Sequence, residues 1–132
     1  MILGIGVDLL SLPRFAKLVA RRGHTRLSNK ILHPVELAQF HSLRHEEREG
    51  YLALRWAAKE ATYKALYPAF KLRWKEILVR KEGEKPTLTL ELARVSTTRN
   101  HGEKFHPNKT KIHLSISHDA ELLVAYVVAE HR

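Results

Sequence analysis

The chain has 132 residues, 44% apolar and 28% charged, a size and balance that suit one domain around one core (residues 1–132). It contains no cysteine, which excludes disulfides, zinc–thiolate centres and a cysteine nucleophile and fits a reducing compartment such as the cytoplasm. The formal charge of +9 favours an anionic partner, and no apolar run reaches the roughly 18 residues of a transmembrane helix, so no membrane span is expected.

Met1-Ile2-Leu3-Gly4-Ile5-Gly6-Val7-Asp8 reads as a strand over 2–8, not as a targeting leader. Ser11 is placed to cap a following helix, with Pro13 in its first turn and Gly23 just past its end. Phe15, Leu18 and Val19 give that helix an apolar stripe, while Arg14, Lys17 and Arg21 share an adjoining face. No acidic residue falls between Asp8 and Glu36, a gap that also holds Arg22, Arg26 and Lys30. A second short helix is expected to begin at Pro34 and to carry Val35, Leu37, Ala38 and Phe40.

The third helix is predicted over about 46–67. Its apolar residues surround the axis: Leu52, Trp56, Tyr63 and Leu66 on one side, Leu54, Ala57, Ala58, Ala61 and Ala65 on the other. A helix apolar all round is a buried helix. Yet this one carries Arg55, Lys59, Glu60 and Lys64, and buried charges need a partner, a metal or a ligand. The C-terminal half turns to strands. Ile77–Val79 and Thr87–Leu92 suit a hairpin, 94–110 a polar exposed loop, and Ile112, Leu114 and Ile116 a half-polar strand. Asp119-Ala120-Glu121 then turns the chain into a last buried strand, Leu122–Ala129. Helices early and strands late predict an α+β fold: a mostly antiparallel sheet packed with one long buried helix and shorter helices.

Asp8 at a strand end and Glu60 inside an apolar helix could hold Mg²⁺ together with substrate phosphates, because that ion takes one or two carboxylates and keeps some waters. Taken singly, Asp8 also suits a cap and Glu60 a partner of Lys64 one turn on. Lys59, Lys64 and Arg55 could contact phosphate oxygens or extend out of the core on packed stems. The strand His113-Leu114-Ser115-Ile116-Ser117-His118 ends in a histidine free to donate to a phosphate. No nucleophile elbow, zinc-ligand spacing or glycine-rich phosphate loop is present, so phosphate binding here must rest on cations and metal. A basic nucleic-acid-binding domain without catalysis is the alternative, but the cationic face lacks interleaved aromatics.

Gly4-Ile5-Gly6-Val7-Asp8, Arg55-Trp56-Ala57-Ala58-Lys59-Glu60-Ala61 with Lys64-Ala65, and Ser115-Ile116-Ser117-His118 resemble the three signatures of holo-acyl-carrier-protein synthases, the small one-domain phosphopantetheinyl transferases. Their order and spacing agree over nearly the whole chain. The resemblance implies Mg²⁺-dependent transfer of 4′-phosphopantetheine from coenzyme A to a serine of an apo acyl carrier protein, as in fatty-acid synthesis. It implies that Asp8 and Glu60 hold the metal and that Glu60 takes the serine's proton. Lys64 would assist the leaving 3′,5′-ADP, His118 would contact the phosphates, and Arg55 and Lys59 would support them. Arg14, aided by Lys17, Arg21 and Arg26, would grip the acidic carrier, and the chain would form a homotrimer with the site between subunits. Nucleic acid and membrane are not implied partners. Leu66-Tyr67-Pro68-Ala69-Phe70 departs from the family's glycine-rich turn, and the polar stretch before Ile112 is longer than in typical bacterial members, which would also suit a mitochondrial-matrix relative.

Overall fold

The computed structural model describes residues 1–92 and 106–132. Strand β1 (Ile2–Ser11) leads directly into α1 (Leu12–Arg22). The Ser11 hydroxyl accepts from the Arg14 amide at 3.4 Å, and Gly23 ends the helix at φ 87°, where its own amide donates back to the Val19 carbonyl. A left-handed φ of that kind is nearly free only for glycine. Helix α2 (His24–Ile31) follows at once, then α3 (Pro34–Ser42), the long α4 (His45–Leu66), and a 3-10 turn at Trp74–Glu76. The hairpin β2 (Ile77–Glu82) and β3 (Lys85–Leu90) comes next, and a turn at Pro107–Lys109 leads into β4 (Thr110–Asp119) and β5 (Leu122–His131).

Two antiparallel sheets form, one in the order β1-β5-β4 and one from the β2–β3 hairpin. The α+β expectation is met, with three refinements. The first strand runs to Ser11, the hairpin strands reach Glu82 and Lys85 on either side of the turn and end at Leu90, and α2 stands where no element was expected. Helix α2 has no side-chain cap and a polar composition, with Leu27, Ser28 and Ile31 turned inward. Most of the predicted 94–110 loop lies outside the described residues. Its last residues, Pro107–Lys109 and Thr110, belong to the turn and the start of β4.

Helix α4 is the common wall of two apolar clusters. Its N-terminal half packs Leu52 and Ala53 against Phe15, Val19, Leu27, Ile31, Leu32 and Phe40 from the three short helices. Its C-terminal half lays Ala57, Ala58, Ala61 and Ala65 on the inward residues of β4 and β5. Small side chains on that face let the helix come down onto β1 almost backbone to backbone. A Cβ built on Gly4 would lie 1.9 Å from the Ala65 carbonyl oxygen, and one on Gly6 only 1.8 Å from that of Ala61. The two glycines therefore set how near the strand carrying Asp8 comes to the helix carrying Glu60. On the far side of the sheet, Ile5 (54% exposed), Leu9 (63%) and Tyr126 (43%) form an uncovered apolar face with Val7 and Leu122.

Candidate active site

The glycine contact brings Asp8 beside α4. Lys64 Nζ donates to Asp8 Oδ1 at 3.3 Å and to the Val7 carbonyl at 2.9 Å, so one ammonium bridges strand and helix while staying half exposed. The second carboxylate oxygen, Asp8 Oδ2, is buried and has no hydrogen-bond partner. Desolvation raises the proton affinity of Asp8, partly offset by Lys64. Desolvation also raises that of Glu60, and the negative charge of Asp8 raises it further, with Lys64 again opposing. Two carboxylates thus sense each other and share one cation, which leaves the group short of positive charge.

A cation would relieve both features, the orphaned oxygen and the mutual repulsion. No third histidine, cysteine or carboxylate joins them to complete a cage among the described residues. That donor set fits Mg²⁺, which takes one or two carboxylates and completes its shell with water and substrate phosphates, and it does not fit a caged ion. Beside Glu60 opens a cavity of about 150 Å³, lined by Lys59, Glu60 and Tyr63 of α4 and by Leu72, Arg73, Trp74 and Ile77.

Arg55 and Lys59 are placed differently from expectation. Both are buried, and both turn to Glu36, which is wholly enclosed. Lys59 Nζ donates to Glu36 Oε1 at 2.5 Å, to the Ile31 carbonyl at 2.7 Å and to the Trp74 carbonyl at 3.1 Å. Those three bonds use all of the ammonium's donors, so none is left for a phosphate. The Arg55 guanidinium lies 3.4 Å from the Tyr51 ring centre, with Nε 3.5 Å from Glu36 Oε2. Burial lowers the proton affinity of both cations, and the charge of Glu36 restores part of it. Their buried charge in α4 is compensated by a protein carboxylate, where sequence reasoning supplied a phosphate.

His118 is exposed near the end of β4, on the helix-facing side of the sheet. It is in register with Leu123 and Leu10, whereas Asp8 shares its row with Ala125 and Ile116. Two interstrand spacings, about 10 Å, separate β1 from β4. His118 is therefore not gathered with Asp8, Glu60 and Lys64 within one chain. Arg14, Lys17 and Arg21 are exposed along α1, and Arg26 continues the basic surface on α2.

Comparisons with known proteins identify relatives of this chain. Residues 4–128 match the family model described as the 4′-phosphopantetheinyl transferase superfamily. The chain belongs to that superfamily. A holo-[acyl-carrier-protein] synthase of Desulfovibrio desulfuricans is 38% identical over 133 residues, covering 98% of each chain. One from Halothermothrix orenii is 37% identical over 134 residues, again covering 98% of each. Among solved structures, a holo-(acyl-carrier-protein) synthase of Bacillus anthracis in complex with CoA (3′,5′-ADP) superposes with a TM-score of 0.74 at 30% identity, covering 100% of this chain and 99% of that one. The Helicobacter pylori synthase in complex with coenzyme A gives a TM-score of 0.69 at 28% identity, covering 96% of this chain and 99% of its own. Both the family expected from the signatures and the fold are borne out.

In this member of the superfamily, two parts of the site escaped sequence reasoning. The first is the Arg73–Trp74 wall of the cavity, carried by a three-residue turn too short to leave a periodic signal. The second is Glu36. It sits two residues past Pro34 in the first turn of α3, where a carboxylate reads as an ordinary capping group, and it does accept from the His33 amide at 2.9 Å. The signal that could have exposed it was on α4: two buried cations demand a buried anion.

Proposed function

We propose that this chain transfers the 4′-phosphopantetheine group of coenzyme A to the serine hydroxyl of an apo acyl carrier protein, with Asp8 and Glu60 holding Mg²⁺. The observation that carries this reading is the Asp8–Glu60–Lys64 group. It joins two carboxylates of raised proton affinity, one buried unpartnered oxygen and one half-exposed ammonium, and its Glu60 lines a cavity. Bound Mg²⁺ would supply Lewis-acid neutralisation of the pyrophosphate charge.

The residues divide the remaining work. Lys64, tethered by the Val7 carbonyl, is held where it can donate to the pyrophosphate and to the departing oxygen of 3′,5′-ADP. The serine oxygen forms its bond to the β-phosphorus as the bond from that phosphorus to the bridging oxygen breaks. Glu60, whose proton affinity burial and Asp8 raise, takes the hydroxyl proton. The exposed arginines and lysine of α1, led by Arg14 and continued by Arg26 on α2, dock the acidic carrier and steer its approach. Three copies of the chain associate through the uncovered apolar face around Ile5, Val7, Leu9 and Tyr126, so that His118 of one copy serves the phosphates bound by another. Supporting this are the exposure of that face and the distance of His118 from its own Asp8 row.

The test is direct. Apo carrier protein, coenzyme A, Mg²⁺ and this chain are incubated, and the carrier is weighed. A mass gain of one phosphopantetheine is expected, absent with EDTA or with Asp8→Ala. No adduct on any of several carriers would sink the reading. A sedimentation mass of a single chain at micromolar concentration would sink the trimer.

A further inference from the structure

Glu36 takes no part in the chemistry above, yet three hydrogen-bond donors and the Arg55 guanidinium, from three elements, converge on it. The His33 amide caps it from the head of α3 at 2.9 Å, and the Val79 amide reaches it from β2 at 3.1 Å. Lys59 Nζ at 2.5 Å and Arg55 Nε at 3.5 Å come from successive turns of α4. Lys59 then extends the node to the Ile31 carbonyl at the end of α2 and to the Trp74 carbonyl in the 3-10 turn.

Two consequences for the site follow. Successive residues of an α-helix point about 100° apart, so holding Lys59 fixes the direction of Glu60. The Trp74 carbonyl belongs to the wall that, with Arg73, closes the cavity lined by Glu60 and Tyr63. A buried ion pair is a weak source of stability, since apolar side chains of the same volume commonly do as well. What it adds is direction, because each hydrogen bond has a preferred geometry.

We infer that Glu36 is a positioning residue for the transfer: acting through Lys59, it sets the rotation of α4 that delivers Glu60 to Asp8 and holds the Arg73–Trp74 wall of the cavity in place. This rests on the reading of Asp8 and Glu60 as the phosphate-and-metal group. Glu36 touches no reacting atom.

Two variants test it. Glu36→Gln keeps the volume and strands the Lys59 charge. Glu36→Leu combined with Lys59→Met removes the pair and leaves the Arg55 guanidinium against the Tyr51 ring without its carboxylate, so it is expected to fold with a lowered melting temperature. On both, calorimetry measures the Mg²⁺ dependence of coenzyme A binding, steady-state assays separate kcat from the KM for carrier, and acrylamide quenching reports the tryptophans of the ligand-free protein. Trp74 packs at a tilt of 41° against Trp56, ring centres 4.9 Å apart, so a loosened wall exposes it.

For the double variant the expected result is a Mg²⁺ midpoint raised about tenfold and kcat lowered about 10- to 100-fold, the scale of a misplacement near 1 Å. Tryptophan quenching should rise, with the carrier KM within about twofold of wild type. If Glu36→Gln fails to fold, the double variant decides. A double variant with wild-type metal dependence, kcat and quenching overturns the inference. So does one that cannot fold, because the pair would then determine stability and not geometry. A wild-type protein that transfers nothing would refute the functional reading, while the quenching comparison would still decide whether Glu36 holds the wall.

Discussion

Replacing Gly6 by alanine adds one methyl group at the tightest contact between β1 and α4. The new carbon would lie 1.8 Å from the Ala61 carbonyl oxygen and 2.8 Å from both the Ala61 carbonyl carbon and the Ala65 nitrogen. All three atoms are helix backbone and cannot rotate away. Restoring an ordinary contact near 3.4 Å requires strand and helix to part by roughly 1.6 Å. Forcing a close-packed interface apart costs about 3 kcal/mol, the upper part of the range for overpacking. For a chain of 132 residues that corresponds to a fall in melting temperature of roughly 10–15 °C. Asp8 lies two residues further along the same strand and would move with it, away from Glu60, so transfer should fall about 100-fold even in the folded fraction. Thermal melts by circular dichroism and carrier mass spectrometry at 20 °C read the two effects separately. A Gly6→Ala protein with wild-type melting temperature and rate would refute the claim that the strand–helix separation sets the site.

Gly50 provides the opposite case: it lies inside α4 with nothing within 4 Å of a built Cβ, so Gly50→Ala should stabilise by about 0.5–1 kcal/mol without changing the rate. In the ligand-free protein the raised proton affinities of Asp8 and Glu60 stabilise the fold below their ordinary pKa values of 3.8 and 4.5, and that contribution is lost as pH rises toward neutrality. Glu60→Gln should therefore melt roughly 2 °C above wild type at pH 7, a gain kept small by solvent screening, and the gap should close near pH 4 in differential scanning calorimetry. A variant that melted below wild type at pH 7 would contradict the assigned repulsion. Arg14→Glu should raise the carrier KM about tenfold and weaken its salt dependence, with coenzyme A binding unchanged by calorimetry.

Much of the site was legible because its residues sit on elements with clear periodicity. Asp8 ends a β-branched run, and Glu60 and Lys64 lie one turn apart on a helix whose apolar content marks it as buried. The charges within that helix were correctly read as needing partners, but their division was not. Glu60 and Lys64 turn toward β1, whereas Arg55 and Lys59 turn toward Glu36, and only the packing of α3 and β2 against α4 decides which. Sequence spacing gives the faces of a helix; what stands opposite each face is a tertiary fact. The same limit explains α3. Pro34 announced its start, but two of its apolar residues, Val35 and Ala38, are exposed, and the buried residue of its first turn is the carboxylate between them. Helix α2 was missed because its short polar sequence has neither side-chain cap nor apolar stripe and is stabilised by its neighbours.

The pairing of β1 with β5 also constrains the order in which the molecule can be made. Asp8 stands opposite Ala125, and Gly6 opposite Val127. The strand that carries the first carboxylate is synthesised early but has no sheet partner until nearly the whole chain exists. The three short helices and α4 can associate beforehand, since their contacts are local. Until β5 arrives, Ile5, Val7 and Leu9 remain on an unpaired edge, a state prone to mispairing with other chains. A nascent chain stalled within β4 would thus hold a formed helical layer, the layer that bears the basic surface, while the strand carrying Asp8 still lacked its sheet partner.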